Sequence, residues 1–157
     1  MSARAIFGVQ VLLSLVGYSL IARFYVASRL AALPLSAALT PLLLLHAFRH
    51  VGLVFLVPTV VGSALPAAFA EPAAYGDLLA ALLALLAIAA LRNSWTLAIP
   101  LVWLFNVEGT LDLLNAFYQG FTNDVQLGAA YYIPTFAVPA LFVTHAMIFA
   151  MLLHRTR

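Results

Sequence analysis

A chain of 157 residues that is 66% hydrophobic and only 8% charged lies outside the range of soluble domains, which carry about 25% charged residues. Its composition, with a mean hydropathy of +1.10, reads as an all-α polytopic membrane bundle, one domain over 1–157, multi-pass in the membrane (the plasma or inner membrane if bacterial). All seven basic residues are arginine and there is no cysteine, which excludes a lysine Schiff base, disulfides, thiol catalysis and thiolate metal sites; the net charge of +2 comes from arginines at segment ends, so no nucleic-acid partner is expected.

The first apolar segment covers about residues 5–27 and is flanked by Arg4 and Arg29. A signal peptide cleaved near Val26-Ala27-Ser28 is the competing reading. Arg23 interrupts the segment before that site, however, and only Arg4 supplies a positive start, so the segment reads as a retained helix. Leu33-Pro34-Leu35-Ser36 forms a break, with Ser36 as an N-cap. The second span, about 37–57, carries His46, Arg49 and His50 near its middle. Pro58, Gly62, Pro66 and Pro72 then punctuate the chain, and Thr59–Ala74 is expected to be an irregular or re-entrant loop.

The third span, about 77–91, is Leu- and Ala-rich without an interior polar residue, which predicts a lipid-facing or scaffolding helix. Arg92-Asn93-Ser94 leads into the fourth, about 95–119. There Glu108, Asp112, Asn115 and Gln119 fall within roughly 60° of one another on a helix. The fifth span, about 128–153, carries Pro134 and Pro139, which predict a kink, and His145, about 40° round the helix from Tyr131.

Arginine placement orients these segments. Arg23 and Arg29, Arg92, and Arg155 and Arg157 follow the first, third and fifth, while Glu71, Asp77 and Asp124 lie in or beside the alternate loops. The positive-inside rule then predicts about five transmembrane helices, N-terminus outside and C-terminus cytoplasmic.

Ionised groups rarely face hydrocarbon, so the fourth-span stripe should look into the bundle or a wet cavity. Arg49 sits too deep to snorkel and needs a carboxylate. Glu108 and Asp112 are the acids expected at its depth, so the second and fourth spans should touch through Arg49 and one of them. His145 and Tyr131 would add a third wall, and Gln119 points the crevice toward the N-terminal side. Each feature also has a plainer reading: a register-fixing ion pair at Arg49, a core histidine at 145, and helix packing through Gln10, Ser14 and Tyr18. Asn106 points away from the stripe and reads as packing. Trp95, Tyr118, Tyr131 and Tyr132 suit interfacial belts.

A metal held by His46, His50, Glu108 and Asp112 is disfavoured because Arg49 lies between the histidines and repels a cation. A haem on His145 rests on spacing alone, and no cofactor is identified. One guanidinium against two acids leaves a negative charge that a proton or cationic ligand would relieve. The favoured reading is binding or transport of a small molecule or proton. Arg49, His50, Asn115, Gln119, Tyr131 and His145 would contact the ligand, and His46, Glu108 and Asp112 would handle protons. The alternatives are a membrane-embedded acid/base enzyme on a lipidic substrate, with those three as catalytic groups, and a structural membrane subunit. The expected surroundings are the lipid bilayer and a small-molecule or lipidic ligand, and an oligomer is compatible with the sequence.

Overall fold

Leu- and Ala-rich segments favour helix, and helix is the regular structure found among the described residues. The computed structural model describes residues 1–62, 65–123 and 125–155, the side chain of Arg155 excepted. Asp124 and Arg157, used above for orientation, lie outside the described residues, as do 63 and 64 within the 59–74 connection.

Helix α1 covers Ala3–Ala31 and is capped by Ser2, whose hydroxyl accepts from the Ala5 amide at 3.2 Å. It widens into a π turn at Ala22–Val26. After Pro34, α2 covers Leu35–Leu56, α-helical to Ala47 and tightened to 3₁₀ over Phe48–Leu56. A short helix, Pro58–Val61, precedes α3 at Ala67–Arg92, and α4 follows at Ala98–Thr122. Helix α5, Gly128–His154, begins as 3₁₀ and passes through a π turn at Ile133–Ala137 around Pro134, where the kink was expected. Gly128 opens it at φ +51, against the Val61 carbonyl, where a side chain has no room.

Among the described residues four helices are long and apolar enough to cross a membrane: α1, α2, α3 and α5. Helix α4 spans 25 residues but is not among the four, because its polar residues dilute its hydropathy.

The third helix departs most from expectation. It starts at Ala67 rather than Asp77, carries Pro72 within it, and replaces the second half of the predicted 59–74 loop. Of the two roles expected for it, lipid-facing or scaffolding, burial fits the second: it is the best-buried of the four apolar helices, with half of its apolar window inside the bundle against none for α1. Ala73, Ala80, Ala84 and Ala87 form a small-residue face that lets α2 and α4 approach closely on either side. One apolar cluster, built on Leu39, Leu43, Val102, Phe105, Ile148 and Leu152, fills the end of the bundle away from the N-terminus. Another, around Phe55, Phe69 and Ala130, lies toward the opposite end. A polar layer separates them.

Candidate functional site

Arg49 occupies that layer, 4% exposed. Its Nε donates to Asp77 Oδ1 on α3 at 2.7 Å, Nη1 to the Gly109 carbonyl on α4 at 3.1 Å, and Nη2 to Asp112 Oδ2 on α4 at 2.6 Å. One planar head therefore ties three helices, a geometry suited to guanidinium and not to ammonium. Ten residues separate Asp77 from the start of α3, and ten separate Asp112 from the end of α4. At the α-helical rise both lie about 15 Å in from the same end of the bundle.

Three glycines make the space. A Cβ on Gly52 of α2 would overlap the Asp77 carboxylate, and one on Gly76 of α3 would overlap that of Asp112. On Gly109 of α4 it would stand 2.6 Å from Arg49 Nη1 and 2.9 Å from His145 Cε1. Each helix thus lacks a side chain where a charged group of a neighbour passes.

Next to Arg49 lies a buried histidine pair, His46 of α2 and His145 of α5, with ring centroids 4.1 Å apart. Asn106 donates its amide N–H to the His145 carbonyl at 3.2 Å, which leaves its Oδ1 to accept from His145 Nδ1 at 2.7 Å. The Thr144 hydroxyl turns its hydrogen to the Ala140 carbonyl (2.9 Å) and accepts from His46 Nε2 at 2.9 Å. With the rings neutral, those bonds make His46 Nδ1 and His145 Nε2 the bare nitrogens, and both are buried without a hydrogen-bond partner among the described residues. Asn106 is therefore the residue that orients His145 as well as a packing residue. Asn106→Leu is expected to cost about 1–2 kcal/mol by stranding the Nδ1–H, read as thermal unfolding in detergent. An unchanged midpoint would show that His145 is held by its ring contacts alone.

Among the described residues, two clefts that reach the layer stand out. The first, about 180 Å³, runs from the first turn of α1 and the end of α4 down to Asp77 and Asp112. The second, about 390 Å³ and mostly apolar, lies between the latter half of α1, α2 and α5 and reaches Arg49, Gly52 and Asp77. Asp77 borders both.

The predicted residues fall into three groups. Arg49 and Asp112 meet as expected, and His46 and His145 join the same buried layer. Glu108, one turn before Asp112, is half-buried with Oε2 lacking a partner among the described residues. His50, Asn115, Gln119 and Tyr131 do not join the layer. His50 is exposed and hydrogen-bonds to the Ala47 carbonyl; the 3₁₀ segment, at about 120° per residue, rotates it further from the His46 side of the helix than α-helical winding would. Asn115 is exposed, and Gln119 accepts from Asn123 near the end of α4. The cleft instead uses the neighbouring face of Leu113, Ala116, Phe117 and Gly120. Tyr131 lines the outer part of that cleft and donates to Gln10 at 2.5 Å, the π turn having broken its phase with His145. Gln10 and Tyr18, which meets Phe136, dock α1 on α5 as packing residues.

Asp77 is the site residue that sequence reasoning missed. The available signal was its place among the alanines: Ala73, Ala80, Ala81 and Ala84 stand three, four or seven residues from it, the spacing of one buried helical face. Among the described residues no group of three or more His, Cys, Asp or Glu side chains is placed to hold a metal ion.

No curated protein and no solved structure matches the chain. A family model described as Domain of unknown function (DUF8737) matches residues 6–153, nearly the whole length, and the chain belongs to that family.

Proposed function

We propose that the chain is an integral membrane protein of five transmembrane helices, N-terminus outside and C-terminus cytoplasmic, that binds or transports a small molecule or proton at the Arg49 layer. The observation that carries this reading is the first cleft, which leads from one end of the bundle to two carboxylates of a buried ion network. A depth of about 15 Å is the middle of a hydrocarbon core about 30 Å thick. Helix α4 has the length to span that core, and its Asp112 is turned inward. Three of the chain's five carboxylates, Asp77, Glu108 and Asp112, gather near the single guanidinium of Arg49. The excess negative charge is one that a proton or cation would offset. Two clefts meeting at Asp77 favour passage over a closed structural pair. His46 lines neither cleft, which weighs against the enzyme reading in which it serves as acid or base.

Solvent access tests the proposal. The chain has no cysteine, so Ala116→Cys on the cleft wall and Ala87→Cys in the core report cleanly. In right-side-out vesicles a membrane-impermeant thiol reagent is expected to label Ala116→Cys and spare Ala87→Cys. Labelling only from the opposite face would invert the orientation, and an inert Ala116→Cys from both faces would remove the pocket.

A further inference from the structure

We propose that the first cleft binds a small organic cation, a protonated amine with an aromatic or alkyl body. The ammonium would sit at Asp112 and Asp77, with its body among the rings of Phe7, Phe117 and Tyr131. This rests on the pocket reading above and adds the class of ligand.

Three observations converge on it. First, the cleft wall is aromatic. Phe7 on α1 packs its ring 6.3 Å from Phe117, 5.7 Å from Phe121 and 5.8 Å from Tyr131, joining α1, α4 and α5 around the opening. Aromatic faces attract cations and accept apolar bodies, which suits an amine carrying a hydrocarbon group.

Second, the floor presents carboxylates and hides the guanidinium. Asp77 and Asp112 both line the cleft, whereas Arg49 does not and its side chain is 1% exposed. Arg49 holds Asp77 through Oδ1 and Asp112 through Oδ2, so each acid keeps a second oxygen outside the ion pair, Asp77 Oδ2 beside Gly52 and Asp112 Oδ1 beside Gly76. Glu108, one helical turn from Asp112, does not line the cleft but adds negative charge behind its floor, with Oε2 buried without a donor among the described residues. An anion would meet this negative floor without access to Arg49. Arg4, at the mouth, is itself engaged in an interaction.

Third, the volume of about 180 Å³ is below the ~300 Å³ at which sites for drug-sized ligands begin, so the occupant is small.

Calorimetric titration of the full chain in nanodiscs with three probes of similar shape tests this: phenethylammonium, 2-phenylethanol and phenylacetate. Phenethylammonium is expected to bind at least about ten-fold more tightly than the alcohol, the scale of a buried charged hydrogen bond, with no saturable binding of phenylacetate. Asp112→Asn should weaken the ammonium by about the same factor. Should that variant not fold, Phe117→Leu with Phe121→Leu replaces it. Those rings lie outside the ion network, and their loss should weaken the ammonium several-fold. Equal binding of the alcohol, tighter binding of phenylacetate, or ammonium binding indifferent to the ring substitutions would overturn the cation assignment. Absence of ammonium binding with Ala116→Cys still labelled would also sink it while leaving the pocket in place. Absence of both would remove the pocket as well.

Discussion

Replacing Arg49 by methionine is expected to cost the folded bundle about 3–5 kcal/mol, the scale of removing one partner from a buried ion network. Methionine keeps most of the side-chain volume and helix propensity, so the loss falls on charge and hydrogen bonding. Asp77 and Asp112, whose side chains are 11% and 10% exposed, would be left facing one another's charge without a cation. The Gly109 carbonyl would lose its side-chain donor as well. Arg49→Lys should fall between the two, because an ammonium cannot hold Asp77, Asp112 and the Gly109 carbonyl in one plane.

A triple variant, Arg49→Met with Asp77→Asn and Asp112→Asn, separates charge from shape. Once all three charges are gone, the desolvation cost that the ion network had to overcome is gone too, and at least half of the lost stability should return. Unfolding in detergent, followed by circular dichroism with size-exclusion chromatography, reads all four proteins. If Arg49→Met alone matches the wild type, the acids are solvated through the cleft and Arg49 does not hold the helices. If the triple variant is no better than the single, the loss lies in packing around the arginine stem.

Sequence reasoning went furthest where charge in an apolar segment left few choices. Arg49 had to find an acid, and it found Asp112 on the expected helix. The break in α-helical winding at Pro134 and the contacts of Gln10 and Tyr18 with α5 also followed from local chemistry. What escaped depends on helix phase and helix ends. Pro66 and Pro72 argued for a loop, so Asp77 was placed at the start of a span instead of eleven residues into one. A uniform 100° per residue keeps His46, Arg49 and His50 within one arc of about 100°, which the 3₁₀ segment widens, and puts Tyr131 beside His145, which the π turn undoes. Glu108, Asp112, Asn115 and Gln119 do share an arc, but the cleft lies on the next face round, and of the four only Asp112 lines it. Periodicity identifies a polar face and leaves the partner of that face to tertiary packing.

Gly109→Ala is expected to destabilise the bundle by about 2–3 kcal/mol, although helix propensity alone would favour alanine by about 1 kcal/mol. The sign turns on whether the neighbours can yield. The new methyl would stand 2.6 Å from Arg49 Nη1, 2.9 Å from His145 Cε1 and 3.0 Å from His145 Nε2. Retreat of Arg49 stretches its bonds to Asp77 and Asp112, and retreat of His145 breaks its bond to Asn106 and presses its ring on Phe105 and His46. Both neighbours are pinned, so overpacking exceeds the propensity gain. Gly8→Ala and Gly17→Ala on α1 supply the contrast, since nothing lies within 4 Å of either added Cβ. They should raise stability by about 0.5–1 kcal/mol. The three variants compared by thermal unfolding under one condition decide the point. A Gly109→Ala protein as stable as Gly8→Ala would mean that Arg49 and His145 move aside at no cost, and the layer between the two clefts would then be a loose gate rather than a fixed clasp.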